Sequence, residues 1–308
     1  MKFILVSDVH LLRQNPVARK DNLVENQFKK FEFILQQARI QKADILCAAD
    51  FCDIPRSWVL LPRIISLLKD YEDVRLHTVF GQHDTYLYSE ETRDRTTLGV
   101  LEKAGLVTVL DSSPLQITGE DRCVTLYGCS FGADVPVPVV SSRSTMFNVL
   151  VIHASISDRS LYPGQEPTMA KKFLESNKNF DLIVCGDIHR SFMVKAGKRF
   201  LFDVGPMLRR EATQYNFSHV PHVVFFDTEK LTYEEIEIPH KPADEVLDRS
   251  HIDRVVESKD ILEGFVSEIE SEDTEKVSFE EILWSLVKAN KGSKSVEKVL
   301  SETMEERS

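Results

Sequence analysis

Five short apolar runs in this chain each stop at an aspartate or a histidine, and that recurrence constrains the fold more than any other feature. Residues 3–6 are followed by Ser7-Asp8-Val9-His10, and residues 44–48 by Ala49-Asp50-Phe51-Cys52-Asp53. Residues 75–80 lead into Gly81-Gln82-His83-Asp84, 148–152 into His153, and 182–185 into Gly186-Asp187-Ile188-His189. Apolar runs of this length read as buried strands, and open α/β sheets bind ligands beyond the carboxyl ends of their strands. A single aspartate there is commonly a helix cap and a single histidine commonly structural. Five coincidences imply instead one polar site built from several strands.

The pattern between the runs supplies the rest of the layout. Residues 22–39 carry Leu23, Val24, Phe28, Phe31, Leu35 and Ala38 at helical spacing, a stripe that reads as core. Residues 56–69, which include Pro62, and residues 96–104 read as further helices. Strand and helix alternate to about residue 110, which predicts parallel βαβ units. The runs then crowd together over 113–131 and 191–238, which predicts antiparallel pairs. The expectation is a mixed sheet system covered by helices.

Pro239 and Pro242 mark a break, after which the chain becomes Glu-rich and helical in pattern. Phe279, Ile282, Leu283 and Leu286 form one apolar stripe, and Val296, Val299, Leu300 and Met304 another, on either side of a Lys291-Gly292-Ser293 turn. This predicts a helical hairpin. The expected divisions are 1–205, 206–243 and 244–308. Of the net charge of -11, residues 244–308 contribute -9 (18 acidic against 9 basic side chains), which leaves the body at -2. A nearly neutral body that meets phosphates through metal cations permits a DNA partner without indicating one. The five cysteines, Cys47, Cys52, Cys123, Cys129 and Cys185, never form a C-x-x-C pair, and they read as reduced core thiols of a cytoplasmic protein. The run at 3–6 is too short for a leader or a membrane span.

Two divalent metals need a bridging carboxylate together with oxygen and nitrogen ligands, and the five motifs supply both without a thiolate. Their order resembles that of the calcineurin-like metallophosphoesterase superfamily: D-x-H, G-D-x-x-D, G-N-H-D or G-N-H-E, a lone His, then G-H-x-H. The resemblance covers residues 1 to about 210. It implies an α/β (α+β) fold, a mixed two-sheet β-sandwich flanked by helices, with a small capping region and a C-terminal helical tail. It also implies that Asp8, His10 and His189 hold one metal, that Asp50 bridges, and that Gln82, His153 and Asp187 hold the other. His83 would be the catalytic acid, and Asp53 and Asp84 would orient ligand histidines.

Three positions depart from the pattern. Ala49 replaces a glycine, Gln82 replaces asparagine and sets its amide roughly 1.5 Å further out, and Asp187 replaces a histidine. The added carboxylate favours manganese, or magnesium, over zinc. A finer resemblance is to SbcD-type DNA double-strand-break repair nucleases, including phage relatives. It rests on Arg19 and Asp21 after the first motif, on Gly205-Pro206-Met207-Leu208-Arg209-Arg210, and on the tail after Ile238-Pro239. It implies a manganese-dependent DNA exonuclease or endonuclease of repair and recombination, with Arg19, Arg209 and Arg210 as candidate phosphate contacts. Its partners would be DNA and an SbcC-type ATPase docked on the tail, with a homodimer in the complex, no membrane, and a cytoplasmic location, the host's if phage-encoded. A small-molecule phosphodiesterase or nucleotide pyrophosphatase, or a scaffold with a degraded second metal site, are the alternatives.

Overall fold

The structure, a computed structural model, describes residues 1–118, 123–138, 146–160 and 167–250. Met1–Arg249 form one compact unit. The hairpin expected around Phe279 and Val296 lies outside the described residues.

The chain opens with β1 (Lys2–Val6), α1 (Leu23–Gln41), β2 (Asp44–Cys47), α2 (Leu61–Asp70), β3 (Leu76–Thr78), α3 (Thr97–Lys103) and β4 (Thr108–Val109). These four strands run parallel, as their alternation with helices predicts. Asn22 caps α1 by accepting the Glu25 N–H at 3.1 Å, and Thr96 caps α3 in the same way through Gly99. Helix α2 begins at Leu61 and not at the expected residue 56. Pro62 sits in its first turn, where a missing N–H costs nothing.

The second half contains β5 (Leu115–Thr118), β6 (Cys123–Cys129), β7 (Met146–His153), β8 (Ile156–Ser157), β9 (Thr168–Met169), α4 (Ala170–Ser176) and β10 (Leu182–Gly186). It continues with β11 (Phe192–Ala196), β12 (Arg199–Asp203), α5 (Gln214–Ser218), β13 (His222–Asp227), β14 (Thr232–Glu237) and α6 (Ala243–Val246). One six-stranded sheet has the order β14-β13-β1-β2-β3-β4, the other β11-β12-β10-β7-β6-β5. The expected antiparallel pairs occur at β5 with β6, β11 with β12 and β13 with β14. The centre of the second sheet is nevertheless parallel, from β6 through β7 and β10 to β12. Close spacing of runs hides this, because β11 turns back between β10 and β12 and lets two parallel neighbours sit close in sequence.

The period-two pattern of β1 explains the layering. Phe3 and Leu5 face the second sheet and pack with Leu46, Val79, Val149, Val151 and Val184. Ile4 and Val6 face the other way, onto Phe28, Phe31 and Ile34 of α1. On the far face of the second sheet, Leu150, Ile152 and Ile183 meet Leu174 and Phe180. The result is a two-sheet sandwich with helices outside. β13 pairs antiparallel with β1, so residues from the expected 206–243 segment complete the first sheet. Helix α6 is tied to the body by the Lys20 N–H to the Val246 carbonyl.

Candidate metal centre

Parallel strands from both sheets deliver the chemistry at their carboxyl ends. Asp8 and His10 follow β1, Asp50 follows β2, and Gln82 and His83 follow β3, all in the first sheet. His153 ends β7, and Asp187 and His189 follow β10, in the second. Six of the residues at these turns hold positive φ: Asp8 (50°), His10 (46°), Ala49 (70°), Asp50 (46°), Asp187 (119°) and His189 (54°). Left-handed backbone costs energy at non-glycine residues and clusters at functional sites. Two glycines are required by close approach: a Cβ on Gly81 would stand 2.0 Å from Asp50 Oδ1, and one on Gly186 would stand 2.7 Å from the Ala48 carbonyl.

One set of donors is Asp8, His10, Asp50 and His189, whose ligand atoms lie within 4.8 Å of one another. His10 Nε2 and His189 Nε2 are 2.9 Å apart, His10 Nε2 is 3.5 Å from Asp50 Oδ2, and His189 Nε2 is 3.8 Å from Asp8 Oδ1. The other set shares the same Asp50 oxygen. His153 Nε2 lies 3.3 Å from Asp50 Oδ2 and 4.0 Å from Asp187 Oδ1. The Gln82 amide lies beside the Asp187 carboxyl and favours its charged form. The two larger departures from the family pattern are therefore in contact with each other.

Backbone carbonyls fix the imidazoles. His153 Nδ1 donates to Ala48 O at 2.8 Å and His83 Nδ1 to Asp53 O at 2.9 Å, so both Nε2 atoms are left for chemistry. The His83 N–H also donates to Asp50 Oδ1 at 2.9 Å, which ties the catalytic candidate to the bridging one. Asp53 Oδ1 stands 3.9 Å from His10 Nδ1 and pairs with Arg210. Among the described residues Asp84 accepts from no histidine, contrary to expectation. Its carboxylate accepts the N–H groups of Gly81 (3.1 Å) and Phe51 (3.0 Å) and so clamps the turns after β2 and β3 together.

The electrostatics follow from burial. Asp8 is pushed up to about 7 by burial, opposed by His153 and reinforced by Asp50. Burial works against a charged His153, yet the Asp50 carboxylate 3.3 Å away lifts it to about 10. His189 is pushed down to about 4 by burial and Arg210, and His10 falls well below its ordinary value for the same reasons, with His189 adding to the effect. Asp187 is raised by burial.

These residues fit divalent cations. Asp8 Oδ2, Asp50 Oδ2 and His153 Nε2 are buried with no hydrogen-bond partner, and such atoms are costly unless something positive meets them. The donors are carboxylate and imidazole, and no cysteine belongs to either candidate group among the described residues. Asp8, His10, Asp50 and His189 would hold one ion, and Asp50, Gln82, His153 and Asp187 the other.

Of the three arginines expected at phosphate, only Arg210 reaches this centre. Arg19 and Arg209 meet at a separate cavity, because neighbouring residues of an extended turn point to opposite sides. Asp203 was missed by the sequence reading. It is buried at the end of β12, its Oδ1 accepts the Gly205 N–H, and burial, reinforced by Asp8, raises it well above the carboxylate range. It follows an apolar run, the same signal that marks Asp8 and Asp50. His219 and His222 stay outside the centre, bonded to Pro206 O and Ser191 Oγ.

A two-sheet sandwich that converges acids and imidazoles from five strand ends defines a metal-dependent hydrolase of phosphoesters. Residues 1–191 match the model of the calcineurin-like phosphoesterases, and the chain belongs to that family. None of the curated proteins matches it. Among solved structures it is similar to an archaeal phosphodiesterase, at 11% identity and a TM-score of 0.40, covering 77% of this chain and 99% of that one. It is also similar to a putative 5'-nucleotidase from Staphylococcus aureus, at 15% identity and a TM-score of 0.49, covering 78% of this chain and 54% of that one. Vps29 from Entamoeba histolytica, complexed with zinc, is similar at 10% identity and a TM-score of 0.36, covering 78% of this chain and 100% of that one. Likenesses of this size carry no statement about substrate. No helix among the described residues is long and apolar enough to cross a membrane.

Proposed function

We propose that the chain is a manganese-dependent nuclease, the catalytic subunit of an SbcCD-type DNA repair or recombination complex in which an SbcC-type ATPase docks on residues 244–308. The observation that carries this reading is the surface beside the metal centre. A cavity of about 240 Å³ is lined by His189, Arg190, Arg210 and Tyr215, and the Arg190 guanidinium lies over the Tyr215 ring at 5.0 Å. On the other flank Leu87 and Tyr88 are 95% and 67% exposed, and Tyr88 contacts Phe131, which contacts His153. Guanidinium groups suit phosphate and exposed aromatic faces suit bases.

Bound divalent ions would activate water and neutralise phosphate charge. The side chains supply the rest. Asp50 joins the two donor sets, and Arg210, steadied by Asp53, adds positive charge next to His10 and His189. His83, with Nδ1 held by the Asp53 carbonyl, presents Nε2 to the departing oxygen and can give it a proton.

The test is incubation of the purified chain with manganese and, separately, linear duplex DNA, single-stranded DNA and bis-p-nitrophenyl phosphate. Cleavage of DNA and of the small diester is expected. Hydrolysis of the small diester with intact DNA would overturn the nuclease reading and leave a small-molecule phosphodiesterase. Deleting residues 260–308 is expected to abolish co-purification of the ATPase and spare diester cleavage; retained co-purification would remove the tail as the dock.

A further inference from the structure

Arg209 turns away from the metal centre into a second cavity of about 310 Å³, whose lining includes Arg19, Asp21, Lys29, Lys30, Arg209 and Lys241 and none of the metal-site residues. Five basic side chains there face one carboxylate. That carboxylate is already engaged: Asp21 accepts both Nε (2.7 Å) and Nη2 (2.8 Å) of Arg19, and Asn26 Nδ2 at 2.9 Å.

Lys30 and Arg209 are left without a counter-ion among the described residues, although they are only 8% and 4% exposed. Lys30 Nζ donates to the Met207 carbonyl at 3.3 Å, Arg209 Nη2 donates to the Lys241 carbonyl, and Arg209 Nε has no partner. Carbonyl dipoles satisfy donors but do not balance charge, and a buried unbalanced cation is costly. Lys30 registers that cost: burial first, then Arg209 and Arg19, push it down to about 7. The arrangement is also held rigidly. Lys30 projects from α1, Arg19 Nη1 donates to the Arg209 carbonyl at 2.9 Å, and the Lys20 N–H fastens α6 across the same region at 3.0 Å. Cations gathered from three separate segments by main-chain bonds form a preorganised anion receptor, since their mutual repulsion is met before any ligand arrives.

We propose that this cavity binds a soluble phosphate-class anion, with Lys30 and Arg209 as its buried donors and Lys29 and Lys241 at its rim. Its volume exceeds that of a single oxyanion and lies at the lower end of small-molecule sites, so pyrophosphate or a compound carrying a diphosphate suits it better than inorganic phosphate. The site is independent of the nuclease reading and stands whatever the metal centre cleaves.

The experiment is thermal melting of the full chain in EDTA, at constant ionic strength, with inorganic pyrophosphate or inorganic phosphate at millimolar concentration. EDTA removes divalent ions, so the metal centre cannot capture the anion through them. Pyrophosphate is expected to raise the melting temperature by about 3–6 °C, and phosphate by less. Lys30→Met is expected to melt higher than the wild type without anion, since it removes a buried charge, and to lose the response to pyrophosphate. A neutral replacement that merely damaged packing would lower melting. If Lys30→Met does not fold, Lys29→Gln and Lys241→Gln at the rim are expected to weaken pyrophosphate binding by about tenfold together. No shift in the wild type, or a full shift in Lys30→Met or in the rim variants, overturns the proposal.

Discussion

The two donor sets around Asp50 share that carboxylate and are in opposite chemical situations. In the first, Asp8, His10 and His189 approach from both sheets, and the two imidazoles bring their Nε2 atoms to 2.9 Å with little to bond except each other. In the second, opposite charges face each other: His153 Nε2 stands 3.3 Å from Asp50 Oδ2 and 4.0 Å from Asp187 Oδ1, and against burial the Asp50 carboxylate lifts His153 to about 10. A cation entering the first set meets two imidazoles that burial keeps neutral, whereas one entering the second must take the place of the proton that Asp50 favours on His153. The first set should therefore hold its ion more tightly, and the second should be the one that exchanges.

The largest expected effect breaks both halves at once. Asp50→Asn removes the carboxylate they share and should lower diester turnover on the order of a thousandfold, with elemental analysis showing loss of bound metal. Turnover near wild type would show that the halves work without a common ligand. Next, His83→Ala should cost about 10²–10⁴-fold in kcat while leaving metal content unchanged. The loss should be larger for an alkyl leaving group than for p-nitrophenolate, which needs no proton; equal losses would exclude His83 as the acid.

A third change addresses the second half alone. Restoring the family pattern with Gln82→Asn and Asp187→His together should move metal preference toward zinc by about tenfold. Because the two side chains touch, either change alone should achieve less than half of the shift, measured as activity against metal concentration. A fourth contrasts the glycines of the two sheets. Gly81→Ala drives a Cβ into Asp50 itself and should cost about 1–3 kcal/mol in urea unfolding and also lose metal, while Gly186→Ala, closest to a carbonyl, should cost stability first.

The smallest effect lies outside both halves. Burial pushes His219 down to about 4 from its ordinary 6.5, so the folded chain keeps it neutral where the unfolded chain takes up a proton. The stability this brings is complete above pH 6.5 and is lost as the pH falls toward 4. The wild type should lose urea midpoint over that window relative to His219→Gln, and a constant difference would show that another group titrates.

Most of this comparison could be read in the sequence, for a physical reason. Buried strands must be apolar, so a polar residue at the end of one stands out, and Asp8, Asp50, His153 and His189 were all found that way. Asp203 obeys the same rule and was passed over because no second acid or histidine stands within the next few residues, as one does after Asp8, Asp50 and Asp187. What could not be read is where side chains of equal chemistry point. Arg209 and Arg210 are adjacent and identical, yet one meets Asp53 and the other meets Lys30's cavity. The approach of Gln82 to Asp187 was equally hidden, since it brings together turns about a hundred residues apart in opposite sheets, and no local pattern encodes it. The parallel centre of the second sheet was missed because connection length, and not strand composition, decides direction.

Ser7, just before Asp8, donates its hydroxyl to the Cys185 carbonyl at 2.7 Å and accepts the Val204 N–H at 3.2 Å, so it stitches β1 of one sheet to β10 and β12 of the other. The gap across the metal centre is therefore gauged by the thickness of the hydrophobic layer, in the way that a caliper is set by its spacer. Trimming Val151 or Val184, which lie in the layer between the sheets, would let the sheets settle closer and retune the spacing of the two donor sets. Catalytic rate in this chain would then be a readout of how well its interior is packed.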